Sequence, residues 1–419
     1  MSYNKRNRRR SGNKLMKNVL TVATVVLCVG LIGTLFARRP GSDLKPDASD
    51  PDKGFTVLGF TGLSSNPQKL SLVGDAAGVA SYTTIDEGVY VSVQNELDDM
   101  FPFNQIEEYT DEYGNVFVKF PKLYMKWVLN KDGYIDGVSI SNKQVDDTYF
   151  IPDAYLNPVS SYLCEGLYND YFAIGKYEMS GDAAQGYSKS GAEVATNLTR
   201  AQARGAARAY GTALKLYNGY QQLDVSQWTV YNVLCMLYYQ TADVQHVAYG
   251  CGSVGTSSTT GTTDGCLGLN GWNTKTGAVK MLGVENPYGN YFAYLDGITV
   301  KDGAAYVYAY PQNYADSIEG AIKVDADFSM RMSSALGLKP MASSEDVHVF
   351  NGLFMVAGFG TEGGVKLRDN FYVSANGSVP RVGGGSSSTS DAGLFCVYVN
   401  TGFDTTGYMS GARLTYRPV

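Results

Sequence analysis

Along most of the chain, apolar and polar residues alternate in short runs separated by Gly, Asn or Asp, which is the period of half-buried β-strands. "GVYVSVQ", "GNVFVKFPKLYMKWVLN" and "DGYIDGVSIS" set this pattern between Phe55 and about Asn157 and predict a β-rich region over 55–151. The period changes to three and four residues twice. "TRAQARGAARAYGTALKLYN" predicts a helix that Thr199 caps. "DVSQWTVYNVLCMLYYQTAD" predicts a second, with a broad apolar side made by Trp228, Leu234, Cys235, Leu237 and Tyr238. Beyond Tyr239 short strands return, among long Gly-rich loops. Two helices enclosed by many strands predict an α+β domain over 152–419.

One segment breaks both periods. "NVLTVATVVLCVGLIGTLFA", residues 18–37, has no charged residue. At 1.5 Å per residue its twenty residues cover roughly 30 Å, the thickness of a bilayer's hydrocarbon core. A basic stretch carrying Lys5, Arg6, Arg8, Arg9, Arg10, Lys14 and Lys17 precedes it, and Arg38 and Arg39 follow. The pattern predicts a basic cytoplasmic tail over 1–17 and a transmembrane helix over 18–37, with a Pro/Asp/Ser linker over 38–54 holding the rest outside the cytoplasm. A cleaved leader, and with it secretion or display on a virion, is the alternative.

The closing segment, "RVGGGSSSTSDAGLFCVYVNTGFDTTGYMSGARLTYRPV", poses a conflict. Gly383 to Ser388 has the composition of a flexible linker, yet it leads directly into "GLFCVYV" and "GARLTYRP", which have the composition of strands. In "FCVYV", Cys396 and Tyr398 share one face while Phe395, Val397 and Val399 share the other.

Composition narrows the chemistry. A net charge of -6 with pI near 5.1 gives no electrostatic basis for binding nucleic acid. With only His246 and His348, there is little from which to build a His-ligated metal site or a Ser-His-Asp triad. Cys28, Cys164, Cys235, Cys251, Cys266 and Cys396 are too scattered for a disulfide framework; Cys251 and Cys266 either staple the loop between them or stay as buried thiols. The 32 Tyr and 48 Gly suit an amphipathic β surface with many turns.

The order of "MFPFNQIEEYTDEYGNVFVKFPKLYMKW", "FAIGKYEMSG", "LTRAQARGAARAYG", "WTVYNVLCMLYYQTADVQ", "GVENPYGNYFAYLDGI" and "GARLTYRPV" resembles the variable proteins of diversity-generating retroelements, from phage and gut bacteria. The likeness runs from about Met100 to the C-terminus. It implies a C-type lectin-like fold of the formylglycine-generating-enzyme-like variant. It also implies a last gene segment that a retroelement rewrites at adenines, leaving a variable stretch without Lys, Glu, Gln, Met or Trp. None of those five occurs from Gly383 to Tyr408.

Under that resemblance a variable segment over 383–410 would present Gly385, Ser386, Ser387, Ser388, Asp391, Cys396, Tyr398, Thr401, Phe403, Asp404, Thr406 and Tyr408 as the ligand-binding surface. Ala392, Gly393, Leu394, Val397 and Val399 would be its fixed frame. The implied partner is a protein or glycan on another cell, phage or macromolecule, and the expected role is receptor- or adhesin-like, without catalysis. A surface or fibre domain that is not diversified is the alternative. The enzymes of this fold use a pair of cysteines near the C-terminus; here only Cys396 lies there, and Ala293 in "GNYFAYLDG" replaces the usual glutamate, so thiol oxidation is not carried over. No cofactor is expected. Glu285, Asn286, Gly289, Asn290 and Asp296 have the chemistry to surround calcium, and loop-holding hydrogen bonds account for them equally.

Overall fold

The structure, a computed structural model, describes residues 54–158, 167–210, 219–248, 250–329, 331–344, 350–357 and 365–419. The apolar run 18–37 lies outside them. Among the described residues no helix is long and apolar enough to cross a membrane.

The second predicted helix forms over nearly its whole span; the first forms only in its opening part and ends at Ala207, while residues 211–218 of that stretch lie outside the described ones. Helix α1, Arg200–Ala207, begins at a capping box in which Thr199 Oγ1 accepts from Gln202 N and the Gln202 side chain accepts from Thr199 N. Helix α2, Val225–Tyr239, starts where the Asp224 carboxylate accepts from Ser226 N and Gln227 N, and every one of its residues is buried. The wide apolar side read from its sequence is therefore part of a helix enclosed on all sides.

Most of the remaining regular structure is sheet, and the α+β, C-type lectin-like expectation is overturned: the described residues hold strands in six sheets and only these two α-helices, eight and fifteen residues long. The reason is physical. The first of the two helical stretches forms only eight residues of helix, and the Gly- and Asn-punctuated segments around both pair into ladders of six sheets, so strands far outweigh helices.

The described residues all fall within one compact unit. A four-stranded sheet runs in the order Ser71–Gly74, Val57–Thr61, Ile135–Ser141, Tyr124–Leu129. A five-stranded sheet joins Tyr220–Gln222, Leu414–Tyr416, Tyr171–Gly175, Val116–Pro121 and Glu107–Thr110. The last strand of the chain thus sits inside this sheet, between two neighbours, with Leu414 fully buried. Just beyond it Arg417 pairs with the α2 cap Asp224 at 2.6 Å, both side chains out of solvent. The terminal "GARLTYRP" accordingly ties the chain's end to the start of its central helix.

The largest sheet has seven strands in the order Phe354–Ala357, Arg331–Pro340, Val365–Val373, Gly393–Val399, Arg381–Gly383, Phe292–Tyr294, Ser410–Gly411. Its strand Gly393–Val399 runs parallel to Val365–Val373 and antiparallel to Arg381–Gly383. Phe371, Val373, Val382, Phe395, Val397 and Val399 join the main core. Val382, Phe395 and Val397 meet Trp228, Thr229 and Asn232 of α2 around a cavity of about 20 Å³.

Candidate ligand-recognition surface

Strand register decides which side chains can meet on the outer face of the seven-stranded sheet. Tyr398 stands opposite Tyr372 on one neighbour and opposite Arg381 on the other, while Val397 stands opposite Phe371 and Val382. Tyr372, Tyr398 and Arg381 therefore share the face away from α2. The Tyr398 ring lies 4.8 Å from that of Phe292 and 5.5 Å from that of Tyr372, and Asn370 Nδ2 donates to its hydroxyl at 3.0 Å. Asn370, Tyr372 and Tyr398 are half-buried and form a ridge.

Two loops rise beside the ridge. In the turn 386–391, Ser387 and Asp391 are exposed and Ser388 is half-buried. In the loop 400–409, Asp404, Thr406 and Tyr408 are exposed, Tyr408 by 75 %, while Thr401 and Phe403 are half-buried. Phe403 packs against a second apolar cluster that includes Tyr294 and Val379. Gly385, Ser386 and Cys396 are buried. The twelve positions named from the sequence thus divide into five exposed, four half-buried and three buried.

The burial of Cys396 has a specific cause. On its face of the strand the chain folds back through Gly383–Gly385, and a Cβ on Gly384, at φ +76°, would stand 2.9 Å from Ala392 and 3.3 Å from Cys396 Sγ. A stretch with the composition of a linker is thus a tight reversal that covers the thiol. Burial raises the Cys396 thiol well above its ordinary range, and Asp369 adds to this. Cys235, Cys251 and Cys266 are likewise buried free thiols.

Buried polar groups hold the turn 386–391 in place. The Asp369 carboxylate accepts from Phe395 N and from Gln245 Nε2, both at 2.7 Å, and Gln245 Nε2 also reaches the carbonyls of Ala392 and Ser390. Burial pushes the Asp369 carboxyl up to about 7, against the lowering effect of these hydrogen bonds. Gly393 passes so close that a Cβ there would stand 2.4 Å from both carboxylate oxygens. On the other side Ser386 N donates to Asn290 O, and Ser386 Oγ meets Ser257 Oγ, each at 2.9 Å.

The residues considered for calcium are engaged in internal contacts. Glu285 accepts from Gly261 N, Thr263 N and Thr263 Oγ1 at 2.6 to 2.8 Å. Asn290 accepts from Ser258 N and donates to Glu178. Asn286 accepts from Val279 N, and Gly289 N reaches the carbonyls of Gly383 and Gly384. Asp296 forms a two-pronged pair with Arg204 at 2.7 and 2.8 Å. Among the described residues, no cluster of His, Cys, Asp or Glu is arranged to hold a metal ion. His246 contacts Asp243 at 3.1 Å.

Asn370, Tyr372 and Arg381 join this surface without any signal in the local sequence, because they arrive from strands that only the sheet register brings beside Tyr398. The guanidinium of Arg381 lies 4.9 Å from the centre of the Phe292 ring; it donates to Ser410 Oγ and, at 2.5 Å, to Asn400 Oδ1.

No known family profile matches the chain, and no curated protein matches it. Among solved structures it is similar to the "Major Tropism Determinant U1 Variant", at 14 % identity over 83 % of this chain and 77 % of that one, with a TM-score of 0.28. A likeness at that level carries no argument about fold or function.

Proposed function

We propose that this chain is a non-catalytic recognition protein of an adhesin- or fibre-like kind, acting at a phage or cell surface, with its contact residues on the turn 386–391 and the loop 400–409. The observation that carries this reading is a mobile-looking composition set on a fixed base. Ser387, Asp391, Asp404, Thr406 and Tyr408 face solvent, while the strand between the two loops is buried on its α2 side and the turn is held by Asp369, Gln245 and Asn290. Tyr and small polar residues are what adaptable binding surfaces are made from: tyrosine gives rigid contact area, and Ser, Thr and Asp give adjustable hydrogen bonds.

The finer form of the proposal is that a retroelement diversifies this segment. The absence of Lys, Glu, Gln, Met and Trp from Gly383 to Tyr408 supports it. In that case Ser387, Ser388, Asp391, Tyr398, Thr401, Phe403, Asp404, Thr406 and Tyr408 vary, whereas Gly385, Ser386 and Cys396 are restrained by their burial. Sequencing the DNA around the gene tests this: a near-copy of the last gene segment beside a reverse transcriptase gene supports diversification, and a locus with neither contradicts it.

Recognition itself is tested by attachment of the full-length chain to whole bacterial cells across a panel of strains. Tyr408→Ala is expected to weaken attachment to bound strains about 30-fold or more, as for a central aromatic anchor worth at least about 2 kcal/mol. Asp132→Ala, on a turn of the β-rich region, is expected to leave it unchanged. Attachment undiminished by Tyr408→Ala, or no attachment to any strain, contradicts the proposal.

A further inference from the structure

The turn 386–391 contains a strained residue. Among the described residues six besides glycine have positive φ, and Thr389, at φ 48° and ψ −123°, is the β-branched one. That conformation belongs to the first central position of a type II′ turn, which glycine normally fills, and a branched Cβ crowds its own backbone there. Nothing inside the fold compensates. The Thr389 side chain is exposed, and among the described residues its hydroxyl makes no hydrogen bond. Glycine would serve the backbone of this turn better than threonine does.

The loop 253–256 stands against this turn and is fixed to it at both ends. Before the loop, Gly252 packs so tightly on the turn that a Cβ on it would stand 3.0 Å from Thr389 Cα. After the loop, Ser257 Oγ meets Ser386 Oγ at 2.9 Å. Asn290 bonds both segments: its carbonyl accepts from Ser386 N at 2.9 Å and its side chain from Ser258 N at 2.8 Å. Between these points Ser253, Val254, Gly255 and Thr256 are all exposed, Val254 by 45 %.

We infer that Thr389 and the loop 253–256 form one continuous contact surface with the turn 386–391, and that its partner is a protein. The inference rests on the recognition surface proposed above and extends it to residues outside the closing segment. The Val254 side chain has no polar atom, so it gains only by losing apolar area from water, which an apolar side chain of a protein partner allows. The hydroxyls of a glycan would instead give up water against it without a hydrogen-bonding partner. Ser253, Thr256 and Thr389 supply the polar rim of such a contact.

Attachment of the full-length chain to cells of a bound strain tests this, with the melting temperature of each variant measured alongside. Val254→Asp is expected to weaken attachment about 10-fold or more at an unchanged melting temperature, since it sets a charge where apolar area is buried. Thr389→Gly is expected to raise the melting temperature, because the strain is relieved, and still to weaken attachment. Wild-type attachment by either variant, or a Thr389→Gly melting temperature no higher than wild type, overturns the inference. Cells digested with a protease should lose attachment and cells oxidised with periodate should keep it; the reverse pattern overturns the protein assignment in favour of a glycan. If Tyr408→Ala weakens attachment and these two variants do not, the recognition surface stands and this extension fails. If both variants weaken it and Tyr408→Ala does not, the extension stands and the part assigned to Tyr408 fails. Attachment to no strain overturns both readings.

Discussion

Replacing Leu394 with Ala tests whether the strand under the recognition surface is held by its contact with α2. Leu394 is fully buried and lines the cavity of about 20 Å³ together with Val225, Trp228, Thr229 and Asn232. Its backbone is fixed too, since its carbonyl accepts from Asn232 Nδ2 at 3.3 Å. Removing three carbons forfeits about 2.4 kcal/mol of transfer free energy, at about 0.8 kcal/mol per methylene. Space that stays unfilled adds about 24 cal/mol per Å³, or roughly 1 kcal/mol for every 40 Å³. Helix and strand are both hydrogen-bonded elements and an adjoining void already persists, so little collapse is expected and the total comes to about 3–5 kcal/mol. Urea unfolding followed by tryptophan fluorescence measures it, because Trp228 lines the same cavity. The midpoint should fall with the slope unchanged. Ser387→Ala, at an exposed site, should stay within about 0.5 kcal/mol of wild type. A loss below about 1 kcal/mol for Leu394→Ala at unchanged slope would show that α2 does not support this strand.

Two further substitutions probe the base of the turn. Asp369→Asn should reduce the pH dependence of stability: the native carboxyl titrates near 7 against an ordinary 3.8, so the native state holds the extra proton and the wild type loses stability as pH rises from about 4 through about 7. Melting temperatures of both proteins over that range check this, and parallel curves would contradict it. Gly393→Ala should destabilise the fold by about 1–3 kcal/mol, because the new methyl meets the buried Asp369 carboxylate and overpacks the site; an unchanged urea midpoint would show that the carboxylate moves aside freely.

The features legible in the sequence are those set by neighbours along the chain. Thr199 caps α1 as its position predicts, because a capping side chain reaches only two or three residues ahead. The alternation that sets Cys396 and Tyr398 against Val397 and Val399 follows from the pleat and holds in the sheet. What depends on distant pairing was not legible. Nothing near Gly393 indicates a parallel neighbour at Val365–Val373, and nothing near Ser410 indicates pairing with Phe292–Tyr294. The sheet architecture and the arrival of Arg381 beside Tyr398 are decided at that level. The burial of Cys396 follows the same logic: alternation places it on the outer face, but only the fold-back at Gly384 covers it. Gly383 to Ser388 has a linker's composition because glycine is needed for close approach in a turn as well as for freedom in a coil.

The central claim, that the turn 386–391 and the loop 400–409 make the contact, is tested most directly by amide hydrogen exchange on the full-length chain, free and bound to envelopes of a strain to which it attaches. Peptides spanning 383–410 should gain protection on binding, most strongly in 400–409, with little change across the β-rich region 55–151. Protection confined to 55–151, with 383–410 exchanging as in the free protein, would contradict the account.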